Sequence, residues 1–186
     1  KIITKNISKK SLELKQILKI EIFSDTICPW CYIGKKKLQL AIDKYSNHEF
    51  EIIWRCYQLN PSMPIQGMDR QEYLKNKFGG KNKAFNVYNK INRVGKKVGI
   101  FFQFDKIKKT PNSFLSHQLL AFSYKKGIQK QIIESLFYSY FIEGKDIGQM
   151  EELIKIAKHN NLDEKETRYY FMANKDKKNL LEEQNL

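Results

Sequence analysis

Hydrophobic and polar positions divide this chain into a short β-patterned front and a long helical remainder. Lys19-Ile20-Glu21-Ile22-Phe23 reads as a short apolar strand, and Phe50-Glu51-Ile52-Ile53-Trp54-Arg55-Cys56-Tyr57, rich in β-branched and aromatic residues, reads as a second. Between them Cys31, Gly34, Leu38, Ala41, Ile42 and Tyr45 recur at three- and four-residue steps, which predicts a helix with Cys31 on its core-facing side. Strand, helix and strand in so short a span form a βαβ unit, with parallel strands and a right-handed crossover. On the second strand Cys56 alternates with Ile52 and Trp54, which suits a small buried core residue.

Asn60 to Asp69, broken by Pro61, Pro64 and Gly67, predicts a loop that supports neither helix nor ladder. From Arg70 the spacing becomes helical, with breaks at Gly79-Gly80 and Gly99. Ile132, Ile133, Leu136, Phe137, Tyr140 and Phe141 share one helical face, and Met150, Leu153, Ile154 and Ala157 repeat the pattern. Phe101 to Phe104 fits either a short strand or an apolar loop. Pro111 suits an early helical position with Thr110 as its cap, and His117 follows on the packed side of that helix. The expected architecture is α/β: a basic extension over 1–18, a βαβ core over 19–59, an all-helical insertion over 60–173, and a helix-compatible segment over 174–186.

Composition changes this picture little. With 41% hydrophobic residues in 186, the chain can build one sizeable core. No apolar run approaches the roughly 20 residues of a membrane span, so a soluble protein is expected, cytoplasmic or organellar. The net charge of +14 comes almost entirely from dispersed Lys, with only Arg55, Arg70, Arg93 and Arg168. Base recognition favours clustered Arg interleaved with aromatics, so nucleic acid is not the expected partner. The first nineteen residues fit either a presequence remnant or a plain polar extension.

The candidate chemistry lies in Cys28-Pro29-Trp30-Cys31, placed between the first strand and the helix. Cysteines three apart at a helix start can bring their sulfurs within bonding distance, and Pro29 suits the first helical position because its missing N–H has no helical partner there. Cys28, at the open end among unpaired amides, is expected to face outward as the attacking thiolate, with Cys31 as the resolving thiol. A helix N-terminus contributes about 0.3–1 kcal/mol toward a thiolate, so the dipole alone lowers its pKa only modestly. A zinc site lacks ligands, since Cys56, His48, His117 and His159 are scattered, and c-type haem attachment fails because Tyr32 follows Cys31.

Phe23-Ser24-Asp25-Thr26-Ile27-Cys28-Pro29-Trp30-Cys31-Tyr32-Ile33-Gly34-Lys35 resembles the active-site segment of the DsbA-like thioredoxin family, in its FrnE-like branch. Tyr57-Gln58-Leu59-Asn60-Pro61 with Met63-Pro64, Pro111-Asn112-Ser113 leading to His117, and Tyr140 to Gly148 extend the likeness over about residues 19–173. The resemblance implies a thioredoxin fold with an inserted helical domain and dithiol–disulfide chemistry on Cys28 and Cys31. It also places Met63 and Pro64 at the active-site rim and Asn112 and His117 near the cleft. No metal or bound cofactor is implied. Glutathione is the candidate redox partner, and protein or small-molecule disulfides and dithiols are the expected substrates.

The family's core closes with further strands entered through a cis-proline loop, for which Pro29, Pro61, Pro64 and Pro111 offer no counterpart. The chain is therefore expected either to belong to a longer protein or to complete its sheet with a second copy. Two other functions stand beside the oxidoreductase. One is a glutathione-dependent isomerase or transferase, as in the related 2-hydroxychromene-2-carboxylate isomerases and kappa-class glutathione transferases, where Ser typically replaces Cys28. The other is a noncatalytic chaperone or binding module.

Overall fold

A computed structural model describes residues 17–45 and 49–185. Most of the 1–18 extension, and His48, lie outside these residues. Strand β1 (Ile17–Ser24) and strand β2 (Glu49–Cys56) pair in parallel, Ile17 opposite Glu49 through Ser24 opposite Cys56, with helix α1 (Pro29–Ile42) as the crossover. Both strands run slightly longer toward their N-terminal ends than their apolar stretches suggest.

A second ladder lies where a loop was expected. Met68–Asp69 (β3) pairs antiparallel with Lys109–Thr110 (β4). This corrects the reading of Asn60–Asp69 as unable to pair, and the region beyond residue 60 is not wholly helical. Thr110 accordingly serves in a strand. The following helix, α4 (Phe114–Lys125), starts four residues later, with Ser113 at its N-cap and Pro111 ahead of it. Phe101, Phe102 and Gln103 form a loop, and a single 3-10 turn covers Phe104–Lys106.

Helices α2 (Arg70–Phe78) and α3 (Lys81–Lys96) follow β3. The Asp69 carboxylate caps α2 by accepting from the amides of Gln71 and Glu72, and Gly79 ends it in the left-handed conformation at φ 76°. Helix α5 (Gln129–Tyr138) runs into a π-helical turn over Ser139–Glu143, and helices α6 (Met150–His159), α7 (Glu164–Met172) and α8 (Lys177–Gln184) complete the chain. The core joins the two regions through aromatic rings: Tyr32 of α1 stacks on Phe137 at 4.9 Å between centroids and meets Phe102 edge-on at 6.1 Å.

That stacking sets the rotation of α1. Tyr32 and Ile33 are its buried residues, while Gly34, Ala41 and Tyr45 are exposed. The stripe expected from Cys31 through Tyr45 is therefore not the buried face, because the large ring of Tyr32 outweighs the small Gly34 and Ala41 in apolar area gained.

Candidate functional site

The turn between β1 and α1 is built around a buried carboxylate. Asp25, 1% exposed, accepts from the Ile27 amide through Oδ1 at 3.2 Å and from the Leu59 amide through Oδ2 at 2.7 Å, tying the turn to the segment after β2. The Cys28 amide closes the turn onto the Asp25 carbonyl at 3.1 Å, and the Thr26 and Ser116 hydroxyls are hydrogen-bonded at 2.6 Å. Cys28 thus becomes the N-cap of α1 in an extended conformation, followed by Pro29 at the first helical position.

Cys28 and Cys31 are both free thiols. They act as one acid–base unit. The S–H of Cys28 toward Cys31 pulls the Cys31 thiol down to about 6 against the cost of burial, helped by the Ser24 hydroxyl and the Asp25 amide and opposed by the Asp25 carboxylate. The same bond, with burial and the charge on Cys31, pushes Cys28 far up, while the amides of Cys31 and Trp30 act in the opposite sense. The pair gives up its first proton readily and its second with difficulty.

Exposure reverses the sequence expectation. Cys28 is buried and Cys31 half-buried, because the helical layer bearing Tyr73, Phe78, Val87 and Tyr88 closes over the start of α1. Cys28 nonetheless opens into a cavity of about 200 Å³ beneath that layer, together with Pro29 and Trp30, and Cys31 does not. Trp30 is 45% exposed at the mouth.

The other sequence candidates stand around this centre and do not line the cavity. Asn112 fastens the loop after β2, donating to the Met63 carbonyl at 2.7 Å and accepting from Gln58 at 3.0 Å. Met63 is buried and Pro64 exposed. His117 is buried as expected, yet neither ring nitrogen has a hydrogen-bond partner, and Nε2 lies 3.8 Å from Asp25 Oδ1. Cys56 is a core residue whose thiol burial pushes up to about 12, which makes it inert. Among the described residues no three His, Cys, Asp or Glu side chains gather as metal ligands, and no helix is long and apolar enough to cross a membrane.

Two buried charges escaped the sequence reading. Asp25 carried a signal, since an Asp two residues before a turn amide commonly accepts from it. Arg70 carried none, because an Arg opening a helix ordinarily faces water.

A parallel strand pair joined by a helix, with two cysteines at that helix's start and a helical layer over it, defines a thioredoxin-like fold. Residues 19–186 match the DSBA-like thioredoxin domain, and the chain belongs to that family. The uncharacterized protein YwbO of Bacillus subtilis (strain 168) is 26% identical over 146 residues, 77% of this chain and 66% of its own length. The chain thus spans just under two thirds of that relative. Its fold is similar to that of the probable DsbA oxidoreductase SCO1869 from Streptomyces coelicolor, with TM-score 0.74 and 21% identity over 83% of this chain and 67% of the other. It is also similar to the cytosolic disulfide reductase DsbM from Pseudomonas aeruginosa solved with GSH, with TM-score 0.62 and 13% identity over 90% and 78%.

Proposed function

We propose that this chain carries the redox centre of a thiol–disulfide oxidoreductase, with Cys28 as nucleophile and Cys31 as resolving thiol. The observation that carries the reading is the pair of free thiols at the start of α1, of which Cys28 alone opens into the cavity. Proton transfer along the S–H to S contact makes the thiolate available on Cys28, where the amides of Trp30 and Cys31 favour it.

The Cys28 thiolate attacks one sulfur of a substrate disulfide. The S–S bond breaks, one thiolate leaves and takes a proton, and a mixed disulfide remains. Cys31 then attacks Cys28 Sγ and expels the second thiolate, so that the substrate gains two electrons and the protein becomes the disulfide. The same steps in reverse oxidise a substrate dithiol. Substrates are protein or small-molecule disulfides, and glutathione is the proposed redox partner, a reading supported by the similarity to a reductase solved with GSH.

The test is turnover of a model disulfide by Cys28→Ser and Cys31→Ser. Cys28→Ser is expected to lose turnover, and Cys31→Ser to accumulate a mixed disulfide visible as a mass increase. Turnover retained by Cys28→Ser overturns the mechanism and favours a glutathione-dependent isomerase or transferase, in which that position works as a hydroxyl.

A further inference from the structure

Arg70 opens α2 and is only 7% exposed. A buried guanidinium requires a counter-charge or full hydrogen bonding. Here its partners are neutral: one terminal nitrogen donates to Thr110 Oγ1 at 2.8 Å, the other to the Tyr88 hydroxyl, and Nε has no partner. The guanidinium carbon lies 5.2 Å and 5.4 Å from the ring centroids of Tyr73 and Tyr88. Asp69, its neighbour in the chain, is committed to the amides of Gln71 and Glu72 and does not line the cavity.

Arg70 lines the same cavity as Cys28. Among the described residues the only other charged one lining it is Lys77; no acidic residue does, and the remaining walls are largely aromatic and aliphatic. A positive, weakly hydrated site beside a nucleophilic sulfur attracts an anion strongly, because low-polarity walls screen it little. At about 200 Å³ the cavity is smaller than the roughly 300–1,000 Å³ that encloses a drug-sized ligand, so it suits a small compound or one end of a larger one.

We propose that Arg70 is the anion anchor of the Cys28 cavity, which selects low-molecular-weight disulfides and thiols that carry a carboxylate. This specificity rests on the thiol–disulfide reading above. The carboxylate is held by the guanidinium while Cys28 Sγ bonds to the nearer substrate sulfur. The substrate S–S bond breaks, the far half leaves as a thiolate that takes a proton from water, and Cys31 later releases the anchored half in the same way.

The test follows oxidation of the reduced full chain by three symmetrical disulfides: anionic dithiodiglycolate, neutral bis(2-hydroxyethyl) disulfide and cationic cystamine. Each rate is divided by that disulfide's rate with free 2-mercaptoethanol. The anionic compound is expected to exceed the neutral one by about tenfold, with cystamine slowest. Arg70→Gln brings the anionic-to-neutral ratio most of the way to one, Arg70→Lys restores part of it, and Lys178→Gln, which removes a charge from the exposed side of α8, keeps it. Equal normalised rates for the three, an unchanged ratio in Arg70→Gln, or an equal loss in Lys178→Gln overturns the proposal.

A measurement without variants covers misfolding of the Arg70 substitutions. Acetate is expected to slow alkylation of Cys28 by neutral iodoacetamide saturably, where equal sodium chloride does not. Absence of that protection overturns the anchor. If none of the three disulfides oxidises the pair, the oxidoreductase reading itself falls, while acetate protection still reports the anion site.

Discussion

Asp25 and His117 face each other across 3.8 Å from Oδ1 to Nε2, each 1% exposed, and the contact is too long to be a hydrogen bond. Their consequences for stability are opposite. Asp25 satisfies two buried amides, those of Ile27 and Leu59, so Asp25→Ala is expected to cost about 2–4 kcal/mol. The imidazole satisfies nothing, so His117→Leu is expected to cost less than about 1 kcal/mol or to stabilise. Urea unfolding of the reduced chain measures both, and a cost above about 2 kcal/mol for His117→Leu would show that the ring is held by a bond.

The reduced dithiol should show its first ionisation near 6, followed by ultraviolet thiolate absorbance across a pH titration. The largest cause is the S–H that Cys28 directs at Cys31. Cys28→Ala removes this donor while burial still opposes the charge, so the Cys31 titration is expected to rise to the ordinary thiol value of about 8.5 or above. A Cys31 titration unmoved in Cys28→Ala would break the link between the two sulfurs.

How far the sequence carried this reading depends on the range of the interactions involved. The dithiol, Pro29 at the first helical position and the two parallel strands are local patterns, and each lies within a residue or two of its expected place. The rotation of α1 was missed because it depends on Tyr32 meeting Phe137 and Phe102, contacts that periodicity does not encode. The ladder of Met68–Asp69 with Lys109–Thr110 is too short to produce any alternation, and its halves lie about forty residues apart. Burial of Cys28 is likewise a product of the layer that closes over it, which a helix-start argument does not contain.

Glu134 ties α1 to α5. Its carboxylate accepts from the Tyr32 hydroxyl at 3.1 Å, from Lys36 at 2.7 Å and from Lys35. Burial alone would raise its pKa, but the bonds from Lys35 and Lys36 outweigh it and hold the carboxyl below the usual value. A carboxyl lowered by folding contributes stability that is complete above its unfolded pKa and is lost as pH falls through the folded one. Glu134→Gln is therefore expected to cost about 1 kcal/mol near neutral pH, modest because the group is partly solvated. The gap to the parent chain should close below about pH 4. A gap that stays constant in acid, measured by urea unfolding at several pH values, would mean that charge is not what joins the helices.

The outer edge of β2 is satisfied by side chains, and that arrangement can be tested. Gln129 accepts from the Trp54 amide at 2.9 Å and donates to the Trp54 carbonyl at 2.9 Å and the Leu120 carbonyl at 3.2 Å. Further along, Glu183 accepts from the Cys56 amide at 2.8 Å, and Gln184 both accepts from the Gln58 amide and donates to its carbonyl. These amides and carbonyls would otherwise present a free edge for another strand. Gln129→Leu leaves the buried amide and carbonyl of Trp54 unpaired, while the Leu120 carbonyl keeps the Ser123 hydroxyl, and at about 1 kcal/mol for each lost bond it should cost about 2–3 kcal/mol. It should also raise hydrogen exchange at the Trp54 amide above that of its β2 neighbours. A variant as stable as the parent, with Trp54 exchange unchanged, would show that this edge does not depend on the Gln129 side chain.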